Sequence, residues 1–307
     1  MRASSLDRVA DPSGTTKIWL ALESLQMTGS FKVRGALHAM AAGMAEGATE
    51  FVAASAGNHG AGVAYAAAVL DSRVRVVVPQ GASRSKCDRI LALGGEVLAG
   101  PTPHYDDTET YAREIAVRDG VPFLSPYDSD LACAGNGSSL GFEIVRALGG
   151  VPDRVIVPFG GGGLASGLAW AFASEAADPP SALERVWGVQ SDVSPVMAAS
   201  LSNGAAIERF LPASHSLAEG LEGGISQAAY ARAADAIAGI VVVEESQIAP
   251  AMAHLHKDVG MVVEGSAAIA LVPVLLGLPR ELIGEDVIVV LTGRNIDHDR
   301  WSEAVSW

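Results

Sequence analysis

The chain has 307 residues, enough for a substantial core and, by ordinary domain size, for two domains. Its 21 basic against 35 acidic side chains give a formal net charge of −14, which disfavours nucleic acid and anionic lipid as partners and points to small molecules. Two cysteines, Cys87 and Cys133, are too few for a disulfide framework or a zinc ligand set; with no secretory signal and no apolar run long enough to span a membrane, a cytoplasmic protein is expected.

In chain order, β-branched apolar runs predict strands at 17–23, 51–55, 73–79, 94–100, 154–160, 185–191, 239–245 and 286–293. Between them, apolar residues at helical spacing predict helices over 60–71, 83–95, 131–150 and 244–260. This alternation describes βαβ units. Strands that are apolar on nearly every residue predict parallel sheets covered on both faces. The predicted class is α/β, with two open twisted parallel-sheet domains carrying helices on both faces. Residues 1–47 plus 127–307 are expected to form a large domain and 48–126 a small mobile one. The ligand is expected in the cleft between them, beyond the carboxyl ends of the strands. The stretch 176–181 reads as an ordinary helix-to-strand connection.

Four segments carry chemistry. In TGSFKVRG (28–35), Lys32 sits among small and apolar residues with no adjacent acid, whereas Lys17, Lys86 and Lys257 have charged or polar neighbours. A lysine in apolar surroundings has a lowered pKa, and its neutral amine can attack an aldehyde. In AASAGNHGAGVAYAA (53–67), a strand–turn–helix brings Ser55, Gly57, Asn58 and His59 to a helix start, where they can bind a carboxylate or a ring oxygen; the plainer reading is an N-cap beside a surface histidine. In VIVPFGGGGLASGLAW (155–170), Gly160, Gly161, Gly162 and Gly163 bare their backbone N–H groups at a helix start, a cradle for phosphate. A flexible loop is the alternative there. Gly160, Gly162 and Ala165 also satisfy a dinucleotide pattern, but the acid that should follow, Asp192, comes too late. In VVLTGRNID (289–297), Thr292 presents a hydroxyl at a sheet edge, by default a structural hydrogen bond. An amine nucleophile, a phosphate cradle, a carboxylate cradle and a neutral hydroxyl are together what pyridoxal phosphate requires.

With VVEGSAAIAL (262–271), these motifs give the chain a resemblance, in the family's order over residues 17 to 297, to the fold type II pyridoxal-phosphate enzymes of the serine/threonine dehydratase and serine racemase family. The resemblance implies Lys32, beside Phe31, as the Schiff-base lysine and Asn58 on the ring hydroxyl. It implies Gly160 to Gly163 with Leu164 around the phosphate, and Thr292 on the ring nitrogen. It also implies Ser55, Ala56, Gly57, Asn58 and His59 as the substrate-carboxylate loop, and a homodimer. A neutral hydroxyl on the ring nitrogen favours loss of a β-leaving group over transamination, with Lys32 taking the Cα proton. The implied activity is an ammonia-lyase that converts a β-hydroxy amino acid, serine- or threonine-like, to a 2-oxo acid and ammonia.

Departures from the family pattern refine this reading. The family's racemases carry a serine where this chain has Ala56, which has no proton to give, so dehydration is preferred over racemisation. GNHG argues against the cysteine-synthase-like branch and hence against β-substitution. Gln190 stands where family members with a cation site have a carboxylate, and no metal is expected, although Asp192 and Glu219 leave one open. His254 and His256 read as surface residues, Arg294 as a structural ion pair in preference to a contact with an acidic substrate, and Glu219 equally as a substrate contact or a solvated acid. The opening MRASSL lacks the family's leading helix, so Met1 reads as a possible internal start, and with only ten residues after Asp297 no effector-binding domain is expected. Outside this reaction class, a nicotinamide oxidoreductase leaves Lys32 unexplained, and a non-catalytic binder of the cofactor stays open.

Overall fold

The computed structural model describes residues 1–10, 14, 16–176, 184–212 and 214–306; most of the connection expected at 176–181 lies outside them. The larger sheet contains β1 (Leu6–Val9), β2 (Lys17–Ala21), β7 (Arg154–Pro158), β8 (Val186–Ser191), β9 (Gly239–Val243) and β10 (Asp286–Val290). Its order is β1-β2-β10-β7-β8-β9, parallel except where β1 pairs antiparallel with β2. The smaller sheet contains β3 (Glu50–Ala54), β4 (Arg73–Val78), β5 (Glu96–Ala99) and β6 (Phe123–Leu124), all parallel in the order β5-β4-β3-β6. The strand LDRV was not expected, because two charges in four residues hide it from a search for apolar runs. It lies at a sheet margin, where charged side chains are tolerated.

The central strands are buried along nearly their whole length because helices cover both faces, as near-continuous apolar runs require. In the larger sheet, Ile156, Val189 and Val287 face one core, and Val155, Val157 and Ile288 face the other. In the smaller sheet, Phe51 and Val76 pack on one side, Val52 and Val77 on the other. Helices α1 (Lys32–Ala45), α2 (Asn58–Val69), α3 (Arg84–Ala92) and α4 (Tyr105–Asp119) surround the smaller sheet. Helices α5 (Ser139–Leu148), α6 (Gly163–Glu175), α7 (Val196–Asn203), α8 (Gln227–Ala234), α9 (Ile248–Val259) and α10 (His298–Val305) belong to the larger one. No helix among the described residues is long and apolar enough to cross a membrane.

The helix expected over 131–150 divides into Asp130–Cys133, a π-helical turn over Ala134–Ser138, and α5. Its glycines lower the cost of departing from α geometry, and the turn bridges two functional helices. Asn136 Oδ1 accepts from Gly35 N of α1 at 2.9 Å, and Ser138 Oγ donates to Gly167 O of α6 at 2.8 Å.

Arg34 anchors the first turn of α1. Its guanidinium bonds both oxygens of fully buried Glu23 at 2.7 and 2.9 Å and those of Glu143 at 3.1 and 2.6 Å. Burial opposes the charge, but these hydrogen bonds more than offset it and keep the guanidinium protonated. Removing one member strands a buried charge. Arg34→Ala is expected to cost about 3–5 kcal/mol of folding stability, read as a lowered midpoint in urea unfolding, while a surface substitution such as Arg84→Ala stays within about 0.5 kcal/mol.

Candidate active site

The carboxyl ends of both sheets open onto one cleft of about 1240 Å³. Phe31, Lys32, Ser55, Ala56, Gly57, Asn58, His59, Gly160, Gly161, Gly162, Gly163, Leu164 and Thr292 all line it. The structure thus brings every one of the expected site residues to a single cavity.

Lys32 begins α1, and its amine donates to Pro126 O at 3.0 Å and lies 5.0 Å from the centre of the Phe31 ring. Burial pushes it from the ordinary 10.5 down to about 8, with only the Cys133 thiol acting the other way. The segment before it is tied to the segment after β10: Ser30 and Gly293 form an isolated antiparallel bridge, Phe31 N donates to Thr292 O at 3.1 Å and Arg294 N to Gly29 O at 3.0 Å. Thr292 is buried just past the carboxyl end of β10, a central strand rather than a lateral edge, and its hydroxyl has no hydrogen bond among the described residues.

The glycine turn passes under Tyr127. A Cβ at Gly161 would collide with that ring, and Gly162 has φ +79°, a region glycine enters without penalty. No side chain caps α6, so the first N–H groups of a 13-residue helix face the cleft without intrahelical acceptors. That end offers a partial positive charge and several donors to an anion.

At the other strand–turn–helix, Ser55 Oγ accepts from Gly57 N at 3.0 Å and shapes the bend before α2. His59 is not a surface residue. It is buried, and since a carbonyl only accepts, its Nε2 carries the proton given to Leu124 O at 2.9 Å. Burial, then the nearby Lys32 charge, lowers His59 to about 3, so the ring is neutral at physiological pH.

Several cleft residues carried no assigned role in the sequence. Glu264, raised to about 7 by burial, accepts from Asn58 Nδ2 at 2.7 Å, and Asn58 Oδ1 accepts from Asn295 Nδ2 at 2.6 Å. A lone acid within the apolar run VVEGSAAIAL was the available signal for Glu264. Glu219 reaches across the cleft to Lys86 at 2.8 Å and also pairs with Arg300, so it is not simply a solvated acid. Arg294 forms no ion pair among the described residues, contrary to expectation. It is exposed, and the charge it faces is the like charge of Arg89. Gln190 is buried, with its amide engaged by Phe159 O and by the N–H groups of Met197 and Ala198.

The family profile described as pyridoxal-phosphate dependent enzyme matches residues 4–293. The chain is 35% identical over 293 residues to the catabolic L-threonine dehydratase of Escherichia coli (strain K12), covering 94% of this chain and 85% of that protein. It is 35% identical over 286 residues to the L-threonine ammonia-lyase of Thermotoga maritima, covering 92% of this chain and 68% of that protein. The processed threonine deaminase isoform 2 of Solanum lycopersicum superposes with a TM-score of 0.85 at 26% identity, over 99% of this chain and 82% of that one.

The amine's surroundings have a direct readout. Competitive acetylation of cofactor-free protein followed by mass spectrometry should give Lys32 a half-reaction point near pH 8, whereas Lys17, raised above 10.5 by its hydrogen bond to Glu285, reacts only at higher pH. Coincident profiles for the two lysines would contradict this description.

Proposed function

The chain belongs to the family of pyridoxal-phosphate dependent enzymes, and on that premise we propose that it is an ammonia-lyase converting a serine- or threonine-like β-hydroxy amino acid to a 2-oxo acid and ammonia. The observation that carries the reading is a lysine amine, lowered to about 8 by burial, in the same cleft as an uncapped helix end.

Three features support the fit of the cofactor to this cleft. Among the described residues the Lys32 amine is bonded to a carbonyl alone, with no carboxylate that would hold it charged. The turn under Tyr127 has no room for a side chain at Gly161 or Gly162 and leaves the α6 N–H groups for a phosphate. The Thr292 side chain is buried at the cleft wall, and its hydroxyl, which has no hydrogen bond among the described residues, is left for a ring nitrogen. When bound, the cofactor supplies an aldehyde for an amino group and a conjugated ring that disperses negative charge from the substrate Cα.

This chain's residues then have separable tasks. Lys32 Nζ, neutral above about pH 8 and readily deprotonated just below, is the base positioned to take a proton from the substrate Cα. In the bend Ser55–Asn58, at the start of α2, the N–H groups of Ala56 and Asn58 have no acceptor among the described residues and are available to the substrate carboxylate. Thr292 would offer the ring nitrogen a neutral hydrogen bond where a carboxylate would impose a proton, which favours departure of the β-hydroxyl over transamination. Ala56, which lines the cleft at the position where the family's racemases carry a serine, has no proton to give, and this supports elimination. In the net reaction the water lost across Cα and Cβ is regained when ammonia is released.

The same proposal treats residues 48–126 as a mobile unit closing over the substrate, supported by the contacts Lys86–Glu219 and Ser85–Asp297 across the cleft. It includes a homodimer, and a cytoplasmic location in keeping with free Cys87 and Cys133. Sedimentation and fractionation measure these.

Wild-type protein is expected to be yellow with cofactor, to be bleached by borohydride, and to release 2-oxo acid and ammonia from L-serine or L-threonine. Lys32→Ala should lose the colour and roughly 10²–10⁴-fold of the rate. Chiral chromatography should find little D-serine; D-serine as the main product would favour racemisation, and colour without turnover a binding protein.

A further inference from the structure

Asn58 is held at both ends of its amide. Its Nδ2 donates to Glu264 Oε1 at 2.7 Å, and its Oδ1 accepts from Asn295 Nδ2 at 2.6 Å. Asn295 is itself oriented, because the same Nδ2 donates to Thr28 O at 2.9 Å, and a backbone carbonyl can only accept. An ionised carboxylate likewise only accepts. Turning the Asn58 amide over would set its nitrogen against the Asn295 nitrogen whatever the state of Glu264, and its oxygen against the accepting oxygen of Glu264 when that group is ionised. The orientation is therefore determined from two sides, which leaves Asn58 one uncommitted N–H within the cleft.

The clamp is built from distant parts of the chain. Asn58 opens α2, Glu264 precedes the short helix Gly265–Ala268, and Asn295 follows β10. The chain passes so close at Gly293 that a Cβ there would collide with Glu264 Oε1 and lie 3.1 Å from Asn58 Nδ2. Glu264 is thus confined by backbone on one side and by the Asn58 amide on the other. It makes no ion pair among the described residues. Lys86, a cation on the cleft wall, is committed to Glu219.

We propose that Glu264 and Asn295 are positioning residues that lock the Asn58 amide so that its spare N–H serves the ring oxygen of the cofactor and holds that oxygen as an anion. This rests on the reading of the cleft as a pyridoxal-phosphate site. Neither residue touches the reacting atoms; both act through Asn58. What matters at position 264 is an acceptor oxygen within reach of Asn58 Nδ2, whether or not it carries charge.

The test is the absorbance of bound cofactor, whose anionic ring oxygen gives the visible band and whose neutral form absorbs in the near ultraviolet, together with cofactor affinity measured by equilibrium dialysis. Glu264→Gln keeps an acceptor oxygen and is expected to retain the wild-type band ratio and affinity within about threefold. Glu264→Met removes it and should shift absorbance from the visible to the near-ultraviolet band while weakening cofactor binding roughly tenfold. Asn295→Ala should change both in the same direction by a smaller factor, and covers the case in which Glu264→Met fails to fold. A wild-type band ratio in Glu264→Met or Asn295→Ala, even with reduced thermal stability, overturns the proposal, as does equal damage from Glu264→Gln and Glu264→Met. Wild-type protein that takes up no cofactor overturns the parent reading, and this inference with it; a normal wild type with indifferent variants overturns this inference alone.

Discussion

The site depends on one crossing of the chain. Ser30 and Gly293 pair as an isolated bridge, and the hydrogen bonds Phe31 N to Thr292 O and Arg294 N to Gly29 O close it on both sides. Because α1 starts two residues after Ser30, this crossing sets the position of Lys32 relative to the end of a central strand. It also carries Asn295 to Thr28 O and thereby to Asn58. An amine, a free hydroxyl and an oriented amide are registered together by backbone bonds, which tolerate little displacement. Arg34 secures the same helix from its other side by engaging two carboxylates.

The electrostatics of the cleft follow from desolvation. Burial moves Lys32 and His59 down and Glu264 up, so each is pushed toward its neutral form. Arg34 is the contrast: more fully buried than Lys32 or Glu264, it stays charged because two acids compensate it. Lys32 has only a carbonyl. A lysine with a carboxylate partner would be a stable ammonium and a poor nucleophile, so leaving this amine without one is what makes it reactive. The helix end at Gly163 complements this arrangement by offering an anion partial charge and donors that do not titrate.

Lys32, Asn58 and Gly163 stand at helix starts and Thr292 just past a strand end, all outside the packed strands, so the chemistry of the cleft can change while the architecture is kept.

Much of the fold and of the site was legible in the sequence, and the physical reason is locality. The parallel sheets follow from strands that are apolar on both faces, and the two cradles follow from strand–turn–helix segments whose glycines and helix ends are neighbours along the chain. Lys32 stood out for its apolar setting. Hidden were β1, whose charges mask its pairing, and the π turn, whose geometry answers to α1 and α6 packing against it. The Glu264–Asn58–Asn295 clamp was also hidden, since its members are far apart in the chain. Arg294 lacks the ion pair its type suggested, because partners are assigned by what packs nearby. Sequence alone determined which local elements form and which residues have the chemistry for a cofactor. Only the tertiary structure decided which are stripped of water and which polar groups meet, because desolvation and hydrogen bonding act through space and not along the chain.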